Sequence, residues 1–194
     1  MQSANTSKEK SNGMVAMDSP VQCGFSEHVS KFFKTLPRRK GTKVMGYKLG
    51  KRSQEKLEGI DERMEAVVRY AVGVTKQDFS VICGLRSIQA QKALVAKGAS
   101  QTMKSKHIDG LAVDLMAYVD GGRWELNLYD EIADAMAEAA RVIDVPVRWG
   151  AAWTVPNIAQ WDGDMESAMN DYIDTRRSQN RRPFIDAPHF ELMV

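Results

Sequence analysis

The chain has 194 residues, 43% of them hydrophobic, with 27 Lys and Arg against 25 Asp and Glu. This length and apolar content suit one globular domain with a buried core and exclude collagen-like, coiled-coil and wholly disordered chains. No apolar run reaches the roughly 18–20 residues of a membrane-spanning helix, and the polar start Met1–Lys10 is unlike a secretory signal peptide, so a cytoplasmic origin is expected.

The net charge of +2 averages two unlike parts. Residues 1–44 carry eight basic and three acidic side chains; residues 45–194 carry 19 basic and 22 acidic ones. Residues 1–24, rich in Ser, Asn, Lys and Gly, offer too little apolar surface to offset the entropy of ordering and read as disordered. Ser26 then caps, and Pro37 ends, a short amphipathic helix with Val29, Phe32, Phe33 and Leu36 on one face. The basic run 37–43 reads as a linker. The expected division is a basic arm, 1–44, and a slightly acidic globular domain, 45–194. Residues 26–43 are a candidate for contact with an anionic envelope surface, while a solvated tail is the simpler reading, because one short helix buries little. No nucleic-acid partner is expected of a net-negative domain, and a monomer is expected.

Within the domain, Leu57, Ile60, Met64, Val67, Val68, Ala71 and Val72 mark two consecutive helices, with a second cap near Gly59-Ile60-Asp61. Residues 78–84 alternate as a strand, and Ser87 caps a helix that runs to about Gly98. A polar stretch, 99–110, leads to a strand over 111–118, a turn at Asp120-Gly121-Gly122, an Ala-rich helix over 127–143 and a short strand over 145–150. Residues 151–185 are mostly polar, with a helix over 164–177, and a strand over 189–192 follows. Intermingled strands and helices with short connections predict an α+β fold built on a small antiparallel sheet. Cys23 and Cys83 are too far apart for a zinc motif or a disulfide framework, and Cys83 reads as a small buried hydrophobe. Trp124, Trp149, Trp153 and Trp161 read first as packing residues.

Only three histidines exist, and His28, on the basic helix, reads as a surface residue. His107 and Asp114 stand seven residues apart around Gly110, which lets a loop imidazole and a strand carboxylate converge. Asp186 precedes Pro188 in a turn before the last strand, where Phe190 and Leu192 face the core and His189 and Glu191 the other side. Zinc hydrolases use three N and O ligands and leave a fourth position to water, whose pKa falls to about 7. His107, Asp114 and His189 meet that need with one Zn2+. A carboxylate outside the ligand set must then carry the proton; Asp186 is the choice, and Glu191 is the reserve for that role or for a hydrogen bond to an imidazole. Arg86, at a strand–helix junction, is a candidate to stabilise the charge of a tetrahedral intermediate, with a solvated arginine as the alternative. Trp153, in a polar loop beside the site, is the tryptophan best placed to touch substrate.

Ser105-x-His107-x-x-Gly110-x-Ala112-x-Asp114-Leu115, followed by Asp186-x-Pro188-His189-Phe190-Glu191-Leu192, resembles the phage endolysin branch of the D-alanyl-D-alanine carboxypeptidase (VanY-like) zinc peptidases, the L-alanyl-D-glutamate peptidases. Phe79-Ser80-Val81 with Gly84-Leu85-Arg86-Ser87, and Val147-Arg148-Trp149-Gly150, extend the resemblance over about Gly46–Val194. It implies a hedgehog/DD-peptidase-type α+β fold, zinc on His107, Asp114 and His189, an acid–base at Asp186, and contacts to substrate from Arg86 and Ser105. The implied reaction is hydrolysis of peptidoglycan stem peptides, at L-alanyl-D-glutamate, for host lysis, with access to the wall through a holin-type pore. Alternatives are a D-alanyl-D-alanine carboxypeptidase or dipeptidase of the same fold, or a non-catalytic metal-dependent wall-binding module. The 36 residues between Trp149 and Asp186 exceed the compact form of the family and are expected to form a wall or lid of the cleft.

Overall fold

The computed structural model describes residues 46–194; the helix expected over 26–36, His28 and the rest of the arm lie outside the described residues. In chain order the elements are α1 (Lys51–Leu57), α2 (Glu62–Val74), β1 (Phe79–Cys83), α3 (Ile88–Ala96), β2 (Ala112–Tyr118), β3 (Gly122–Arg123), α4 (Asn127–Ile143), β4 (Val147–Trp149), a 3-10 turn (Ile158–Gln160), α5 (Met165–Ser178) and β5 (His189–Leu192). All strand pairings are antiparallel, in the order β1-β2-β5-β4, with β3 paired to β2. The α+β class with helices flanking a small antiparallel sheet is the one the sequence predicts.

Local chemistry sets the element ends. Asp61, Ser87 and Asp164 each accept a hydrogen bond from a backbone N–H in the first turn of α2, α3 and α5, satisfying donors that a helix start leaves free. The core forms where the apolar face of α4 (Ile132, Met136, Ala139, Ala140) meets α2 (Met64, Val67, Val68, Ala71) and the inner face of the sheet (Val113, Leu115, Phe190, Leu192, Trp149). Alanines on α4 shorten the distance at which two helices can pack.

Three expectations change. The 151–185 segment is more than a wall: Met165, Ala168, Met169 and Tyr172, spaced i, i+3, i+4, i+7, bury one face of α5, and α5 packs against α4. Only the ends of the segment, Trp153 and Phe184, reach the cleft described below. Strand β5 does not alternate in burial, because His189 and Glu191 are 9% and 5% exposed, as hidden as the core residues beside them. It lies between β2 and β4, and its polar face is covered in turn by Arg148 and Trp153. Trp124 is not a packing residue: it is 62% exposed, whereas Trp149 is fully buried.

The register of the sheet decides what meets. Asp114 on β2 pairs with His189 on β5 and, across a bulge between Val81 and Cys83, with Cys83 on β1. Directly opposed residues share a face, so Cys83, Asp114 and His189 stand in one row across three strands. A second row runs from Ala112 through Glu191 to Arg148.

Candidate active site

The loop 104–111 brings His107 over the Cys83–Asp114–His189 row. Its Nε2 is 3.1 Å from Asp114 Oδ1 and 3.3 Å from His189 Nδ1, and that nitrogen is 3.1 Å from the same carboxylate oxygen. Three donors from distant parts of the chain thus converge on one point. The other nitrogen of each ring is already engaged. His107 Nδ1–H donates to the Gly84 carbonyl at 2.8 Å, and His189 Nε2–H donates to Glu191 Oε2 at 3.1 Å. A carbonyl and an ionised carboxylate only accept, so these partners fix how each ring is turned and aim the second nitrogen of both imidazoles at Asp114.

Glu191 is held in turn by the Arg148 guanidinium, whose Nε donates to it at 2.9 Å. Burial alone would raise the Glu191 carboxyl, but His189 and Arg148 outweigh it and hold it down at about 2. Burial likewise disfavours a charged His107, and hydrogen bonds with Asp114 and Cys83 overcome this, holding its pKa up at about 9. Asp114 is pushed up by burial and pulled further down by His107 and His189, so it stays ionised. The point between these groups is a strong sink for positive charge. Two imidazole nitrogens and a carboxylate oxygen are a suitable donor set for a divalent first-row metal. Cys83, His107 and Asp114 also form a group whose ligand atoms lie within 4.8 Å of one another and could hold an ion. Cys83 is half-buried, and its Sγ accepts from Arg86 Nη2 at 3.1 Å. The thiol read from sequence as a small hydrophobe therefore sits among polar groups, because the bulge turns it onto the Asp114 face.

Asp186 lines the same cleft of about 580 Å³, together with Arg86, Ser105, Trp153 and Phe184. Among the described residues no hydrogen bond engages its carboxylate. Burial pushes its pKa up, while His189 pulls it back and Asp114 raises it again. Its backbone is fixed by the chain after β4: Asp186 N donates to Gly150 O at 2.9 Å and Gly150 N to His189 O at 2.8 Å. A Cβ at Gly150 would lie 2.4 Å from Asp186 O and 3.0 Å from His189 Cβ, so only glycine admits this approach.

Arg86 is not solvated. Its Nη2 donates to Asp114 Oδ2 at 3.1 Å and its Nη1 to Gln91 Oε1 at 2.8 Å. Gln91, 0% exposed, donates in turn to Ser100 Oγ and to the Thr102 carbonyl at 2.9 and 2.7 Å. Trp153 stacks on His189 and Phe184, at centroid distances of 5.8 and 6.3 Å, with the Arg148 guanidinium over its ring at 5.2 Å. Ser105 is half-buried on the cleft wall.

The model of one family, phage L-alanyl-D-glutamate peptidase, matches residues 45–193. The chain belongs to this family. It is a peptidase, as the relatives concur. The L-alanyl-D-glutamate peptidase of Escherichia phage T5 is 28% identical over 154 residues, covering 77% of this chain and all of the phage T5 protein. The crystal structure of the Serratia marcescens L-Ala D-Glu endopeptidase ChiX superposes with a TM-score of 0.56 at 32% identity, covering 75% of this chain and 90% of that one.

Three residues around the peptidase site went unread in the sequence. Cys83 was hidden because only the sheet register aligns it with Asp114. Arg148 lay in a recognised motif, but its pairing with Glu191 depends on β4 adjoining β5. Gln91 carried one usable signal: a polar residue on α3 four positions after the Ser87 cap, on the side facing the preceding strand end.

Proposed function

We propose that this peptidase is a zinc-dependent endopeptidase of bacterial peptidoglycan that hydrolyses the L-alanyl-D-glutamate bond of the stem peptide in phage lysis. The observation that supports it most is the convergence of His107 Nε2, Asp114 Oδ1 and His189 Nδ1 within 3.3 Å, each imidazole held from behind by an acceptor. These three residues would hold the metal. A bound zinc ion supplies Lewis acidity, polarising a carbonyl and acidifying water. The closer packing of the histidine set, and the engagement of Cys83 by Arg86, favour His189 over Cys83 as the third ligand.

The remaining chemistry belongs to the chain. Asp186 takes a proton from the attacking water and returns it to the leaving amine nitrogen, a role that suits a carboxylate raised by burial and engaged by no hydrogen bond among the described residues. Arg86 occupies one oxygen of Asp114, leaving the other for the metal, and fixes a positive charge beside the carbon under attack. Glu191 and Arg148 hold His189 in the required tautomer. Ser105 and Trp153 supply wall contacts to the peptide. The reading includes release from the cytoplasm to the wall through a holin-type pore formed by another protein.

Replacing Asp186 by Asn tests the proton-transfer role. The variant is expected to keep its fold and bound zinc while wall-degrading activity falls about 10²- to 10⁴-fold. Full activity at unchanged zinc content would remove Asp186 from the reaction.

A further inference from the structure

Trp124 stands apart from the other tryptophans. Trp149 is buried and Trp161 donates to Ser167. Trp153 is enclosed by His189, Phe184 and Arg148, with its Nε1 donating to the Phe184 carbonyl. The Trp124 indole, 62% exposed, has neither a ring partner nor a hydrogen bond among the described residues.

Its backbone, by contrast, is firmly placed. Trp124 follows β3, where Arg123 pairs with Ala117; its own N–H donates to Glu125 at 3.0 Å. The Arg123 carbonyl accepts from the buried Tyr129 hydroxyl at 3.1 Å, and the Arg123 and Glu125 side chains form an ion pair. The result is a large flat apolar side chain at the end of a hydrogen-bonded hairpin, lining the same cleft as His107, Asp114, Asp186 and His189. An exposed tryptophan gives the fold little, and one on the rim of a reaction cleft points to a ligand with a flat apolar face.

The substrate chemistry names such a face. In a peptidoglycan stem, the nitrogen of L-alanine is acylated by the lactyl group of a muramic sugar. An enzyme that cuts on the carboxyl side of that alanine therefore has a pyranose ring one residue from the scissile bond, at a spacing of roughly 3.5 Å per residue plus the lactyl link. The ring carries C–H bonds on its faces and hydroxyls at its edge. We propose that Trp124 is a stacking platform for the pyranose of the glycan strand, so that the peptidase recognises the sugar as well as the peptide. This rests on the L-alanyl-D-glutamate reading above.

The test uses the full-length zinc-loaded chain and two substrates: a disaccharide-linked stem peptide and the same peptide without sugar. Trp124→Ala is expected to lower kcat/KM on the sugar-bearing substrate about tenfold, to leave the sugar-free peptide within about twofold of wild type, and to be largely rescued by Trp124→Phe. Equal losses on both substrates, or none on either, would overturn the platform. Mass spectrometry of the wild-type products checks the bond independently: release of free D-alanine contradicts the L-alanyl-D-glutamate reading, whatever the Trp124 ratio shows.

Discussion

At the scale of single residues, the site is organised by groups that stand behind the converging side chains. The Gly84 carbonyl and the Glu191 carboxylate each hold the far nitrogen of a histidine, and Gln91 holds Arg86. Gln91 uses its amide fully, accepting from the guanidinium and donating to Ser100 and Thr102, and so ties Arg86 to the polar loop that lines the cleft. Leucine at this position would fill similar space but leave Arg86 and the Thr102 carbonyl without these partners. An unpaired buried polar group costs about 1–3 kcal/mol. Gln91→Leu is therefore expected to lower stability by about 2 kcal/mol in thermal or urea unfolding, and to lower turnover of muropeptides about tenfold through a loosened Arg86. Wild-type turnover in a folded Gln91→Leu chain would show that Arg86 needs no such support.

At the scale of elements, the decisive feature is the alignment of three strands. Cys83, Asp114 and His189 face one another only because β2 pairs with β1 on one side and β5 on the other, with a bulge before Cys83. The chain after β4 then clamps the Asp186–His189 turn through Gly150. A methyl group at Gly150 would press on the Asp186 carbonyl at 2.4 Å and on His189 Cβ at 3.0 Å, pushing both away from the cleft. Gly150→Ala is expected to cost about 1–3 kcal/mol of stability and to reduce wall hydrolysis at least tenfold. The paired measurement is a denaturant titration beside a turbidity assay on purified walls, and unchanged hydrolysis would contradict the clamp.

The same distinction explains how much the sequence revealed. Helices such as α2, with an apolar stripe and an Asp61 cap, α3, with its Ser87 cap, and α4, with its apolar stripe, were legible because these signals are local. The residues later found together, His107, Asp114 and His189, were legible from short motifs and from the resemblance those motifs carry. Which strand neighbours which was not, since register is a long-range property that no local pattern encodes. The same gap hid the Cys83 environment, the Arg148–Glu191 pair and the burial of both faces of β5. Exposure is also a tertiary property, so Trp124 looked like any other tryptophan until the hairpin turned it outward.

At the scale of the molecule, charge is unevenly placed. Besides the basic arm sequence and the cation-attracting site, one acidic region gathers around Asp130 on α4. Burial raises its pKa to about 6, with further contributions from Glu166, Asp134, Asp164 and Glu131, and its Oδ1 has no hydrogen-bond partner among the described residues. A carboxyl raised in the folded state binds its proton more tightly there than in the unfolded chain. Stability is thus lost as pH rises from about 4 through about 6. Asp130→Asn should leave stability unchanged near pH 4 and raise it by about 1 kcal/mol at pH 7–8, a value reduced for solvent screening of a half-exposed group. Thermal melts at the two pH values check the sign, and a gain at pH 4 alone would contradict it.

The proposed metal site and the proposed bond in the cell wall stand or fall together. Their most direct test is mass spectrometry of muropeptides digested by the full-length chain, untreated, stripped with a chelator and then resupplied with zinc. The expected products are sugar fragments that retain only L-alanine and free peptides that begin with D-glutamate, lost on chelation and restored by zinc. Release of D-alanine from stems still joined to the glycan, or cleavage that survives removal of the metal, would contradict them.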